Sequence, residues 1–190
     1  MITQSVLYGK KIYLRQAEMT DCTERYVDWL NDPEVNQYLE TRWSDQNLES
    51  IKTFVKSQRE NDHSLLFAIV LMENNLHIGN IKIGPINSHY NHADISYFIG
   101  EKDQWHKGIA TEAIQLICQF GFEQLLLHRI EAGAYEAAVG SWRALEKCGF
   151  VREGVFRQQV RLNGNYMNVY RYGLLKDEWQ SGVIKGESAI

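Results

Sequence analysis

The segment Gln104-Trp105-His106-Lys107-Gly108-Ile109-Ala110-Thr111-Glu112-Ala113 constrains this chain most. Gly108 stands directly ahead of Ile109, Ala113, Leu116, Ile117 and Phe120, which recur at helical spacing and give one apolar face. A glycine turn followed by such a helix leaves unpaired backbone N–H groups at the positive end of the helix dipole, a ready site for a pyrophosphate. Gly108 removes the Cβ that would hold phosphate oxygens away from the main chain. Farther on, Leu145-Glu146-Lys147-Cys148-Gly149-Phe150 closes a second helix, with Gly149 suited to the left-handed position and Phe150 placed to fold back on Leu145.

Around these two anchors the chain alternates helices and strands. Ile12–Arg15 reads as a strand and Thr20–Leu30 as a helix ended by Asn31-Asp32-Pro33. Asp45–Gln58 is predicted to be a helix capped by Ser44 or Asp45, with Leu48, Ile51, Phe54 and Val55 on one face. Strands are expected at Leu65–Leu71 and Leu76–Ile83, with a turn at Glu73-Asn74-Asn75; a polar loop, Pro85–His92, leads to a strand at Ala93–Ile99. Arg129–Tyr135 is a strand, Ser141–Cys148 a short helix, and Val155–Leu162 and Tyr166–Leu174 flank the hairpin signal Asn163-Gly164. The expectation is one α/β (α+β) domain over residues 1–179, a mixed, mostly antiparallel sheet flanked by helices, followed by a polar tail over 180–190.

The formal net charge of −4, without a run of Lys and Arg, argues against a nucleic-acid partner. The longest apolar run, Leu65–Met72, is too short to span a bilayer, and the N-terminus lacks a signal-peptide pattern, so no membrane partner and a cytoplasmic location are expected. Cys22, Cys118 and Cys148 are odd in number and widely spaced, which fits buried thiols in a reducing compartment.

This order of elements, with Lys107–Ala113 opening the central helix and Leu145–Phe150 closing the next, resembles the GNAT N-acetyltransferase superfamily. Leu14-Arg15 and Trp29-Leu30-Asn31-Asp32-Pro33-Glu34-Val35 are similar to its ribosomal-protein N-terminal acetyltransferase branch. The resemblance implies an acetyl-CoA co-substrate, direct acetyl transfer to a primary amine, and no metal or covalent cofactor. It places Phe98, Ile99, Trp105, His106, Lys107, Gly108, Ile109, Ala110, Thr111 and Ser141 against the coenzyme, the strand Ala93–Ile99 supplying a backbone N–H to the thioester carbonyl. Asp94 occupies a position where relatives carry a catalytic Glu, and Ser141 matches a residue placed to donate to the departing sulfur, a role compatible with capping its own helix.

His92 titrates in a useful range and is a second candidate base; His89, in the same loop, is a candidate base or acceptor contact. Tyr38, Arg42 and Trp43 lie in a linker that borders the acceptor site in this superfamily, where the aromatics would stack on a nucleobase and Arg42 hold a phosphate, or where they would be core aromatics beside a surface Arg. The stretch Asn36–Trp43 is similar to amino-sugar acetyltransferases of nonulosonic-acid pathways, which implies a nucleotide-linked amino sugar as acceptor. A protein or peptide N-terminus is the alternative acceptor, and a non-catalytic acyl-CoA-binding module the alternative to an enzyme. Three positions depart from the family pattern: Trp105 and His106 replace Gln or Arg followed by Gly, Ala138 replaces an Asn, and Leu145 replaces a Tyr that acts as general acid in many members.

Overall fold

A computed structural model describes residues 6–180; of the tail expected over 180–190, Gln180 is the last residue of a helix and 181–190 lie outside the described residues. The strands are β1 (Leu7–Tyr8), β2 (Ile12–Gln16), β3 (Leu65–Leu71), β4 (His77–Asn87), β5 (His92–Ile99), β6 (Arg129–Tyr135), β7 (Val151–Leu162) and β8 (Asn165–Leu175). The helices are α1 (Glu24–Asn31), α2 (Pro33–Asn36), α3 (Leu48–Arg59), α4 (Ile109–Glu123), α5 (Val139–Lys147) and α6 (Lys176–Gln180). They build one eight-stranded sheet in the order β1-β2-β3-β4-β5-β6-β8-β7. Every neighbouring pair is antiparallel except β5 and β6.

Side-chain alternation along the strands separates two apolar layers. On β3, Leu65, Phe67, Ile69 and Leu71 enter the larger core with α4, whereas Leu66 enters a smaller one with Tyr26, Trp29 and Leu30 of α1 and Ile51 and Val55 of α3. Every residue of β3 is buried, because this central strand is covered on both faces. Helix α4 sits close to the sheet at Gly121, where an added Cβ would come within 2.9 Å of the Ile130 side chain.

Several boundaries differ from the sequence reading, each for a local reason. The helix expected from Thr20 divides: Met19–Asp21 forms a 3-10 turn, and α1 starts only after Thr23, whose hydroxyl accepts the Tyr26 N–H. Asp21 is held in the turn by Arg15, whose Nη1 and Nη2 lie 2.7 and 2.6 Å from its two carboxylate oxygens, and by the Glu18 N–H. Asp32 then caps α2, with Pro33 in its first turn. Helix α3 is capped by Asn47 in a reciprocal box with Ser50, not by Ser44 or Asp45. Pro85 falls where the β4–β5 register shifts between Ile83 and Ile86, so its missing N–H breaks no ladder bond and the strand runs on to Asn87. The polar loop is therefore shorter than expected, and His92 is the first residue of β5.

The two best-marked turns form as read. Phe150 N–H donates to Leu145 C=O and Gly149 N–H to Glu146 C=O, with Gly149 at φ 89°, closing α5 in a Schellman arrangement. Asn163 and Gly164, both at positive φ, join β7 to β8.

Asp21 is buried, and burial pushes its carboxyl up; the hydrogen bonds from Arg15 and Glu18 N–H and the nearby His77 outweigh this and leave it below the usual carboxylate range. The carboxyl therefore adds stability that is present above the ordinary carboxylate pKa of about 3.9 and is lost as pH falls through the lowered folded-state value. Arg15→Ala strands a buried carboxylate, and thermal or urea unfolding is expected to show a loss of about 3 kcal/mol at neutral pH that shrinks in acid. An unchanged neutral-pH midpoint would show that this ion pair does not hold the β2–α1 connection.

Candidate active site

The parallel ladder between β5 and β6 runs from His92 opposite Arg129 to Ile95 opposite Ala132, and there it stops. Both strands continue: β5 stays paired with β4 as far as Ile99, and β6 with β8 as far as Tyr135. The facing edges of residues 96–99 and 133–135 thus carry backbone donors and acceptors without a ladder partner across the gap, a condition that a strand-like ligand can satisfy. Ser96 and Gly133, on either side of the opening, are exposed in the middle of the sheet.

The Gly108 turn lies between the end of β5 and α4. Residues Lys102–Gln104 make a 3-10 turn, His106 and Gly108 take left-handed conformations at φ 61° and 82°, and Gly108 is the N-cap of α4 without any side-chain cap. The first N–H groups of α4 are left for a ligand, and a Cβ built on Gly108 meets nothing within 4 Å, so the space in front of the turn is open. This geometry fits a pyrophosphate held by backbone N–H groups.

His106 and Lys107 are exposed beside the turn. Lys11 reaches the same place, its Nζ donating to Lys107 C=O at 2.8 Å. Glu112, in the first turn of α4, accepts the backbone N–H groups of Lys10 and Lys11 and so ties the β1–β2 hairpin to the helix start. Trp105 turns inward: its indole N–H donates to Ile99 C=O at 2.9 Å and its ring packs on the smaller core. Ile109 is core, Ala110 and Thr111 are half-buried, and Thr111 C=O accepts the Cys148 thiol. The Phe98 side chain packs against Tyr26 and Trp29, away from α4.

Asp94 lies on the face of β5 opposite α4, directly beside Glu131 of β6. Arg171 of β8 links them, its Nη2 lying 2.9 Å from Asp94 and 3.4 Å from Glu131. Gly133 makes room for this guanidinium, since a Cβ there would stand 2.9 Å from Arg171 Nη1. Burial raises the Asp94 carboxyl above the ordinary carboxylate range, and Arg171 opposes but does not cancel the rise. His92 stands on the same face, 3.9 Å from Glu131 and stacked with Tyr90, at the closed end of the ladder. His89 is exposed in the turn that follows β4 and lies farther along the chain from the opening.

The linker between α2 and α3 docks on the open end of β6. Glu40 accepts from the Tyr135 hydroxyl and from the Trp43 indole N–H. Arg42 donates to Leu39 C=O at 2.7 Å and to Tyr135 Oη at 3.0 Å, and its guanidinium lies 4.3 Å from the Trp43 ring centroid. Tyr38 donates to Ala137 C=O and meets Tyr135 edge-on. Only 10% of the Arg42 side chain is exposed, whereas Trp43 is 66% exposed. The structure thus brings Tyr38, Arg42 and Trp43 together beside the opening, with the guanidinium already engaged.

On the other face, Ser141 is the third residue of α5 and not its cap, which is Ala138. Its Oγ lies 2.9 Å from Tyr97 Oη, across the parting strands. Leu145, at the position of the usual general acid, is fully buried. Sequence reasoning missed Tyr97, Glu131, Tyr135, Glu40 and Arg171. Strand parity alone places Tyr97 on the α5 side and Asp94 opposite, but their partners come from distant segments.

Residues 11–151 match the profile of the Acetyltransferase (GNAT) domain. The chain belongs to the GNAT acetyltransferase family. It is 32% identical to the "uncharacterized N-acetyltransferase p20" of Bacillus licheniformis, over 91% of this chain and 97% of that protein. It is 34% identical to the "probable N-acetyltransferase YjcK" of Bacillus subtilis, over 84% of this chain and 91% of that one. A crystal structure of spermidine N-acetyltransferase from Vibrio cholerae in complex with CoA and spermine shares the fold, with a TM-score of 0.81, 21% identity and coverage of 90% of this chain and 99% of that one.

The GNAT chain is accordingly an acyltransferase, an acetyl-CoA-dependent N-acetyltransferase. Family membership decides for the enzyme over the binding module. Among the described residues no helix is long and apolar enough to cross a membrane.

A side chain at Gly108 would enter the open space in front of the turn and would also strain its left-handed backbone. Gly108→Val is expected to raise the Kd for acetyl-CoA at least about tenfold, about 1.4 kcal/mol. Calorimetry on the folded variant checks this, and unchanged affinity would remove the turn from the coenzyme site.

Proposed function

We propose that the acetyl group passes directly, in a ternary complex, to a small primary amine that enters from the face carrying Asp94 and Glu40. The observation that carries this reading is the exposed Glu40 carboxylate beside the open end of β6. Carboxylates stand on that face at Glu40, Asp94 and Glu131, and the cations beside them are paired with those same groups, Arg171 with Asp94 and Glu131, Arg129 with Glu131, and Arg42 3.6 Å from Glu40, so that Glu40, most of whose side chain is exposed, is the carboxylate most open to a ligand. Glu40 is held below the usual carboxylate range, chiefly by the Tyr135 hydroxyl, and presents a negative charge at the mouth of the opening. Such a face suits an acceptor that arrives as a cation, and a family member of the same fold is a spermidine acetyltransferase.

In this reading the amine gives up its proton before or during attack, and Asp94 takes it directly or through one water. The raised Asp94 carboxyl makes it a better base than a free aspartate. Ser141, in the opening on the opposite face, donates to the departing sulfur, and the α4 N-terminus with Gly108, Lys107 and His106 holds the coenzyme phosphates. Three cysteines that are free and buried fit a reducing compartment, and we place the enzyme in the cytoplasm.

A nucleotide-linked amino sugar is the second reading, favoured by the exposed Trp43 ring, on which a nucleobase could stack. A phosphate gripped by Arg42 would have to displace its bonds to Leu39 and Tyr135.

The deciding assay measures free thiol released from acetyl-CoA with polyamines, amino sugars, nucleotide amino sugars and N-terminal peptides. Polyamines or other small cationic amines are expected to be preferred, and efficient acetylation of peptides or nucleotide sugars alone would overturn the assignment. Glu40→Gln is expected to raise KM for the amine at least about fivefold, an effect of about 1 kcal/mol, with little change in KM for acetyl-CoA.

For Asp94 the pH profile gives the sign. A base with a raised pKa loses activity as pH falls through that value, so the carboxylate limb of kcat/KM is expected above the ordinary value of about 3.9. Asp94→Asn should lower kcat and abolish that limb while acetyl-CoA affinity holds. Retention of both would assign the proton to solvent or to another group.

A further inference from the structure

Ser141 and Tyr97 meet where β5 and β6 part, on the α5 side of the sheet. The hydroxyl of Ser141 does not cap its own helix; its side-chain partner is the Tyr97 phenol, at 2.9 Å. The same phenol lies 3.0 Å from the Ser141 carbonyl oxygen. A phenol has one hydrogen, so it can serve these two oxygens only in turn. In one arrangement it donates to the carbonyl and accepts from Ser141 Oγ–H. In the other it donates to Ser141 Oγ, and the serine hydrogen is free to point into the opening. Negative charge developing in the opening favours the second arrangement.

We propose that Tyr97 is the positioning residue for the leaving group, turning the Ser141 hydroxyl hydrogen toward the sulfur of acetyl-CoA so that it stabilises the thiolate as the C–S bond breaks. The amine nitrogen forms the new bond to the acetyl carbon, the electron pair of the C–S bond goes to sulfur, and the amine proton leaves to Asp94 or water. The thiolate departs as the anion and is protonated by solvent, so neither hydroxyl loses its proton. Leu145 leaves no acidic side chain at the position where many family members carry a tyrosine.

Tyr97 suits this task for two reasons. Burial pushes its phenol well above the usual tyrosine range, so it stays a donor throughout the working pH range. Its strand is fixed by β4 on one side, which holds the ring in place while the other edge stays open. The assignment rests on the proposed placement of Ser141 at the sulfur and stands whichever amine is the acceptor.

The test uses free CoA bound to the whole protein with no acceptor present, so its outcome is separate from that of the acceptor assignment. The thiol of bound CoA is titrated by its ultraviolet thiolate absorbance, read as the difference from the CoA-free protein, in the wild type, Tyr97→Phe, Ser141→Ala and Ser141→Thr. The bound thiol is expected to ionise more readily in the wild type and in Ser141→Thr, which keeps a hydroxyl for Tyr97 to orient. In Tyr97→Phe and Ser141→Ala the acid dissociation constant should fall by about tenfold, one pKa unit.

In turnover, each of those two variants should lower kcat about tenfold with KM for acetyl-CoA within about twofold, and the double variant should be little worse than either single one. Thiol titrations that coincide in all four proteins, or losses that multiply in the double variant, would overturn the proposal. If Tyr97→Phe does not fold, Ser141→Ala and Ser141→Thr decide: a thiol pKa that is the same in both overturns the arrangement.

Discussion

The end of the β5–β6 ladder after Ile95 and Ala132 is the constraint on which the rest of the site depends. Adjacent parallel strands normally satisfy each other's backbone groups along their whole length. Here each strand is instead anchored on its outer side, β5 by β4 and β6 by β8, and the pairing between the two stops. In the proposed reaction the coenzyme approaches the place where the ladder stops from one face of the sheet and the amine from the other. A groove on the surface of a helix bundle could not offer both approaches together with unpaired main-chain donors between them.

The two faces differ in chemistry because strand alternation sends successive side chains to opposite sides. Asp94 and Tyr97 lie on one strand but on opposite faces, so the carboxylate proposed to accept the amine proton and the phenol proposed to orient Ser141 do not compete for the same space. Arg171 keeps Asp94 and Glu131 from simple mutual repulsion, yet burial still leaves the Asp94 carboxyl raised. Gly133 matters for a steric reason: a larger residue would collide with the guanidinium.

The end proposed to hold the coenzyme is built from shorter-range parts. The left-handed Gly108 ends the 102–108 turn, exposes the first N–H groups of α4 and leaves open space before them. Glu112 uses the same helix end differently, drawing the Lys10–Lys11 backbone against it, and so brings positive side chains to the rim of an otherwise acidic protein. Trp105 fills the role of a fastener, since its indole N–H closes on Ile99 at the end of β5.

Local chemistry alone determined the Gly108 helix start, the Schellman end at Gly149, the Asn163-Gly164 hairpin, the breaking of α1 at Asp32-Pro33 and the apolar face of α4, because each depends on residues within a turn or two of one another; on α3 the expected face holds at Ile51 and Val55 but leaves Phe54 exposed. The same short-range logic misplaced the start of α1, where Arg15 holds Asp21 in a separate turn from another strand, and the cap of α3, where several polar residues compete for one helix end. Asp94 and Ser141 became candidates through the resemblance to the family and Arg42 through its type and place in the linker, but the side chains that hold them were not legible. Arg171, Glu131, Tyr135 and Tyr97 reach them from strands far away in sequence, and a hydrogen bond across such a separation is fixed by sheet order and register. Strand order and register were decided only when both faces of β3 were buried and β5 and β6 were held apart by their outer neighbours, a balance of long-range packing that no local segment encodes.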